Sequence, residues 1–141
     1  LESENKEIGL ASLEKLQSLK TGELMRCAAL LGCFSGNAPE TLNRAAERYA
    51  DGIGRAFQVI DDILDVTADT ATLGKTSGKD DAHDKPTFVS LMGLDAARKL
   101  AREMEHEAGA ALQTLAAKGC FEDMALRLLA GAAAFVTNRK Y

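Results

Sequence analysis

Four polar side chains in an otherwise apolar stretch, Gln58, Asp61, Asp62 and Asp65, have the types and spacing to hold a cation. At about 100° per residue of helix they fall within an arc of about 100°. Val59, Ile60, Ile63, Leu64 and Val66 occupy the other side. Asp61 and Asp65 stand one turn apart, about 6 Å along the axis, on nearly the same bearing. Like charges at that spacing repel, and aspartate is a poor helix-interior residue, so this helix needs a compensating cation. Magnesium suits the donors: it takes hard oxygen ligands and sits between one or two carboxylates and substrate phosphates. Gly54, one turn earlier on the same arc, would leave room for a ligand or a neighbouring helix. Spacing alone does not separate this reading from a solvated acidic face. An EF-hand is excluded, because neither this cluster nor Asp80-Asp81-Ala82-His83-Asp84 has the required glycine and terminal glutamate.

The elements that must position these residues read as helices throughout. Leu10, Leu13, Leu16 and Leu19 make a stripe over residues 10–19. Lys20-Thr21-Gly22 breaks it, with Thr21 placed to cap a second helix that carries Leu24, Met25, Ala28 and Leu31 to about Gly32. Ser35 to Pro39 reads as a loop, and a long helix follows from about Glu40 to Val66. Residues 67–86 form the long polar segment, a loop length that is usually functional or disordered. Pro86 suits the first turn of a short helix, Thr87 to Met92, stopped by Gly93. Asp95 can cap a helix to about Lys118, ended by Gly119. A last helix, roughly 122–138, puts Met124, Leu128 and Phe135 on one face, and the helices over 95–118 and 122–138 read as core packing. The predicted fold class is all-α.

Composition agrees. The chain has 141 residues, 46% hydrophobic and 27% charged, with few aromatics and two prolines, a mix for a soluble helical globule. A net charge of −4 with no basic block argues against nucleic acid. No apolar run reaches membrane-spanning length, so no membrane span is expected. Cys27, Cys33 and Cys120 lack CxxC spacing and read as reduced thiols of a cytoplasmic protein. The chain opens at Leu1 without an initiator methionine, as though cut from something longer.

Four ordered blocks make the aspartate cluster specific. Phe57-Gln58-Val59-Ile60-Asp61-Asp62-Ile63-Leu64-Asp65 resembles the FQxxDDxxD signature of trans-prenyltransferases, the farnesyl and geranylgeranyl diphosphate synthase family. The similarity continues through Asp69 to Lys75 and at Asp84-Lys85-Pro86-Thr87-Phe88, with Lys20-Thr21-Gly22 as an upstream KTG segment. The resemblance implies an all-α bundle in which two aspartate-rich helices face each other across a cavity. About three Mg2+ ions per complete site bridge them to the diphosphate of an allylic substrate. That diphosphate is ionised, isopentenyl diphosphate attacks the allylic cation, and a proton is lost. Carried over by position, Asp61 is a direct metal ligand, and Asp62 and Asp65 ligate or hold metal-bound water. Lys20 and Lys75 contact the allylic diphosphate, and Lys85 lies on a segment that closes over the site. Thr21 and Gln58 place polar oxygens beside the developing cation, although Thr21 is equally read as a helix cap. Lys79 and His83 read as solvated loop residues. From Asp61 to Lys85 seven aspartates face three lysines, a balance of −4 that matches the whole chain and invites divalent cations.

The family's first motif, DDxxD or DDxxxxD followed by paired arginines, appears nowhere in the sequence. Residues 1–141 are therefore expected to form the C-terminal half of one synthase domain, inactive alone, with an apolar face left uncovered. The resemblance implies a homodimer when complete and farnesyl diphosphate as product. Two other functions compete. A class I terpene cyclase has (N/D)DxxSxxxE where this chain has Asp61, Asp62, Asp65 and Asp69, with aspartate for serine. A non-catalytic regulatory subunit would have no need of Lys20, Gln58, Lys75 and all three aspartates.

Overall fold

The computed structural model describes residues 9–72, 86–117, 119 and 122–139, and among them there are helices and short connections but no strand. The all-α expectation holds. Helix α1 (Leu10–Gln17) passes through a π-turn (Ser18–Gly22) into α2 (Glu23–Ser35). The interruption expected at Lys20-Thr21-Gly22 is thus a widened turn and not a break. Gln17, Gly22 and Glu23 all keep right-handed helical dihedrals, and no side chain caps α2. Thr21 is therefore not an N-cap, which frees its hydroxyl for another partner. Single π-turns of this kind concentrate at functional sites.

Helix α3 (Glu40–Thr72) is 33 residues long and runs six residues beyond the expected end at Val66. Helix α4 (Phe88–Met92) starts from a capping box in which Thr87 and Ser90 bond each other's backbone N–H groups. Pro86 therefore precedes the cap and is not in the first turn. Gly93, at φ +84°, ends α4 and lets α5 (Leu94–Ala117) begin at once; a side chain at that φ would be strained. Asp95 lies in the first turn of α5 and is not its cap. Helix α6 (Asp123–Thr137) follows the turn at Gly119.

The core is built on α3 against α5. Tyr49, Ile53, Ala56, Val59 and Ile63 of α3 meet Ala97, Ala101, Met104, Ala108 and Ala111 of α5, with Leu13, Phe88, Ala133 and Val136 closing the cluster. Small residues let the two axes approach, since interhelical distance follows the side chains at the contact. At Gly52 a Cβ would already lie 3.1 Å from both Ala108 Cβ and Met104 O. This close pair makes α3 a rigid rod, and its polar arc is carried on that rod.

Two sequence expectations change here. Of the leucine stripe only Leu13 is buried, and Leu10, Leu16 and Leu19 are exposed, because a spacing of three turns back about 60° per step on a helix. In α6 the core face carries Leu129, Ala133 and Val136, whereas Met124, Leu128 and Phe135 are 64%, 67% and 72% exposed. The helix is apolar on both sides, and the sequence reading chose the outer one. Leu24, Leu31 and Phe34 on α2 are exposed as well. Cys27 is exposed and Cys33 buried, both are free, and burial pushes the Cys33 thiol up; Cys120 lies outside the described residues.

Tyr49 ties α6 to α3: its hydroxyl donates to Leu129 O at 2.6 Å, and burial raises its pKa to about 12. A raised folded-state pKa means stability that is complete below the unfolded value near 10 and lost as pH rises through 12. At about pH 9, Tyr49→Phe should cost about 1 kcal/mol through the missing hydrogen bond. Chemical denaturation near pH 12 should show that difference abolished or reversed, because only the tyrosine protein has lost about 2 kcal/mol by ionisation.

Candidate active site

The polar arc of α3 faces the π-turn. Gln58, only 4% exposed, donates from Nε2 to Thr21 Oγ1 at 2.8 Å, so the hydroxyl accepts and keeps its own proton to offer elsewhere. The approach that permits this is set by two glycines: a Cβ on Gly54 would lie 2.9 Å from Gly22 Cα. Gly54 thus accommodates a neighbouring helix, one of the two uses its spacing allowed.

The three aspartates have separate environments. Asp62 is 8% exposed, and its Oδ2 accepts from the Phe88 backbone N–H at 2.8 Å. Burial pushes its carboxyl above the ordinary range, while the Phe88 hydrogen bond opposes this; the charges of Asp65 and Asp61 push further and Lys20 pulls back. That influence also locates Lys20 in the electrostatic field of the aspartates. Asp65 is exposed. Asp61 is paired: Arg139 Nη2 lies 2.7 Å from its Oδ1.

The structure therefore brings Lys20, Thr21, Gln58, Asp61, Asp62 and Asp65 to the π-turn and the facing stretch of α3. Lys75 and Lys85 lie outside the described residues, as do Lys79 and His83. Two further residues belong to this neighbourhood and were not among the sequence candidates. Arg139 docks the end of α6 onto α3, with Nη2 donating also to Phe57 O at 3.1 Å and the guanidinium 4.0 Å from the Phe57 ring centre. Gln17, one turn before Thr21, is half-buried and its Oε1 has no hydrogen-bond partner among the described residues. Its place four residues before Thr21 was the available signal; for Arg139 there was none, because nothing local predicts a contact across 78 positions.

Among the described residues no three of His, Cys, Asp and Glu converge to enclose a metal. The donors still fit magnesium, which is seldom held in an all-protein cage and uses one or two carboxylates together with substrate phosphates. Asp61 and Asp65 are hard oxygen donors on a solvent-facing side, and a guanidinium already stands beside Asp61 as a cation. An apolar groove of about 510 Å³ lies around Leu42 and Tyr49 toward the start of α3, and no carboxylate, lysine or arginine lines it.

Comparison with known proteins matches the polyprenyl synthetase family model over residues 1–122. The chain belongs to the polyprenyl synthetase family. A farnesyl diphosphate synthase of Escherichia coli (strain K12) is 45% identical over 117 residues, covering 82% of this chain and 39% of that protein. The chloroplastic geranylgeranyl pyrophosphate synthase 11 of Arabidopsis thaliana is 43% identical over 102 residues, 72% of this chain and 29% of that one. A solved structure from Marinomonas sp. MED121, provisionally identified as a farnesyl-diphosphate synthase, superposes with a TM-score of 0.75 at 30% identity, covering 97% of this chain and 43% of that one. This polyprenyl synthetase chain thus spans 29–43% of the length of these relatives, and among its described residues no helix is long and apolar enough to cross a membrane.

Proposed function

We propose that this chain supplies the second aspartate-rich half of a trans-prenyltransferase centre, which ionises an allylic diphosphate and joins the cation to isopentenyl diphosphate. The observation that supports it best is the Gln58–Thr21 bond, which sets the polar arc of α3 against the π-turn. Lys20, Thr21, Gln58 and the three aspartates then address one space. Asp61 and Asp65 would hold magnesium, with Asp62 fixed behind them by Phe88 N–H. Bound magnesium supplies neutralisation of the departing diphosphate. Lys20 adds positive charge on the same side, and Lys75 and Lys85 are proposed to join it. Thr21 and Gln58 present oxygens toward the carbon end, where positive charge develops. Three Mg2+ ions per complete site, a homodimer and a cytoplasmic location complete the reading, and farnesyl diphosphate is the proposed product.

The test is product analysis of the full-length protein with an allylic diphosphate, isopentenyl diphosphate and Mg2+. Elongation that requires isopentenyl diphosphate supports the proposal. A hydrocarbon formed without it would mark a terpene cyclase, and absence of Mg2+-dependent diphosphate binding a non-catalytic subunit. Residues 1–141 alone should give no turnover above background in the same assay, because they carry one of the two aspartate-rich helices that must face each other.

A further inference from the structure

Arg139 occupies the carboxylate on which the metal reading depends. Its side chain is 20% exposed and that of Asp61 35%, and their 2.7 Å contact joins the chain just beyond the C-terminal end of α6 to α3. Around this ion pair the guanidinium's other contacts among the described residues are Phe57 O at 3.1 Å, Val136 O at 3.3 Å, and the face of the Phe57 ring. The ion pair is thus the strongest of the bonds that dock this end of α6.

We propose that Arg139 is the resident counter-cation of Asp61, and that a divalent ion taking this carboxylate displaces it. Metal loading and the undocking of α6's C-terminal end from α3 are then one coupled equilibrium. The inference rests on the reading of Asp61 as a metal-binding carboxylate. Its physical basis is competition for charge. Magnesium requires ligand oxygens at about 2.0–2.1 Å in near-octahedral order and brings two positive charges. A guanidinium on the same carboxylate repels it at short range. The displaced side chain has somewhere to go. Arg139 also lines a cleft of about 430 Å³ with Glu105, Thr137, Arg98 and Arg102, where, among the described residues, Glu105 accepts the Thr137 hydroxyl at 3.0 Å. That cleft offers a second carboxylate as an alternative partner, shared with the Arg98 and Arg102 guanidiniums. Linkage makes the effect reciprocal: the factor by which the Arg139 contact weakens metal binding is the factor by which bound metal weakens the contact.

The experiment uses the full-length protein, Mn2+ as a paramagnetic probe for the divalent site, and hydrogen exchange of the amides at 136–139. Mn2+ affinity is measured with and without inorganic diphosphate. Arg139→Gln should bind Mn2+ about 3- to 10-fold more tightly than wild type, and Arg139→Lys, which keeps the charge, should stay within about twofold. Mn2+ should speed exchange at 136–139 in wild type, and Asp61→Asn should show the fast rate with or without the ion. Unchanged or weaker binding by Arg139→Gln, or exchange at 136–139 that ignores the metal, overturns the coupling while leaving the metal site itself standing. Failure of wild type to bind Mn2+ even with diphosphate overturns the metal reading first and the coupling with it. Neither readout requires turnover.

Discussion

Asp61→Asn in the full-length protein should lower prenyl transfer by about a hundred- to a thousandfold, carried by kcat, with the fold intact. The magnitude is that of losing one preorganised electrostatic contact to charge developing in the transition state. Asparagine has the shape of aspartate, and the ion pair it removes holds only the Arg139 end of the chain to α3, so thermal unfolding of the bundle should move little. Raising Mg2+ should recover part of the rate if the remaining donors still hold the ion weakly. Steady-state kinetics over a Mg2+ series checks this, and activity within a few-fold of wild type at low Mg2+ would sink the metal reading of Asp61.

Gly54→Ala should be the next most damaging change, although it touches no substrate. The new Cβ would stand 2.9 Å from Gly22 Cα and 3.5 Å from Met25 Sδ. Methionine can swing aside, but the Gly22 backbone inside the π-turn cannot, so the turn and α3 must separate. Overpacking of this kind costs about 1–3 kcal/mol. The Thr21–Gln58 bond, now 2.8 Å, would lengthen with it, and a displacement of about 1 Å near reacting groups can cost about a hundredfold in rate. A lowered melting temperature together with a kcat loss larger than any change in KM is the expected pattern. Gly32→Ala, whose Cβ would meet nothing within 4 Å, provides the control that should leave the kinetics unchanged and the melting temperature unchanged or raised, since alanine favours helix over glycine.

Much of this was legible in the sequence, and the reasons are local. The bearing of Gln58, Asp61, Asp62 and Asp65 follows from helical period alone, so a polar arc set against Val59 and Ile63 could be read before any fold. Pro86 and Gly93 placed the short helix at residues 87–92, within one position of Phe88–Met92, because helix-start and helix-stop signals act within one turn. Pro86 itself precedes the Thr87 cap. What the sequence hid was tertiary. Met124, Leu128 and Phe135 make as good an apolar face as Leu129, Ala133 and Val136, and only packing against α5 and α3 decides between them. The burial of Asp62 depends on Phe88, 26 residues away, and the pairing of Asp61 on Arg139. The π-turn left a fainter trace: Leu13, Gln17, Thr21, Met25, Ala29 and Cys33 recur every fourth residue on the covered side, wider than the 3.6 of a regular helix. A reading tuned to that period sees an interruption at Lys20-Thr21-Gly22.

That turn also separates two kinds of tolerance to change. A π-turn is a stretch of helix carrying one residue more than its span requires, so it is a place where the chain could lose a residue and still close its i→i+4 ladder. The bundle could be assembled without it. Lys20 and Thr21 could not then be presented to Gln58, and a deletion silent to the scaffold would fall wholly on the chemistry.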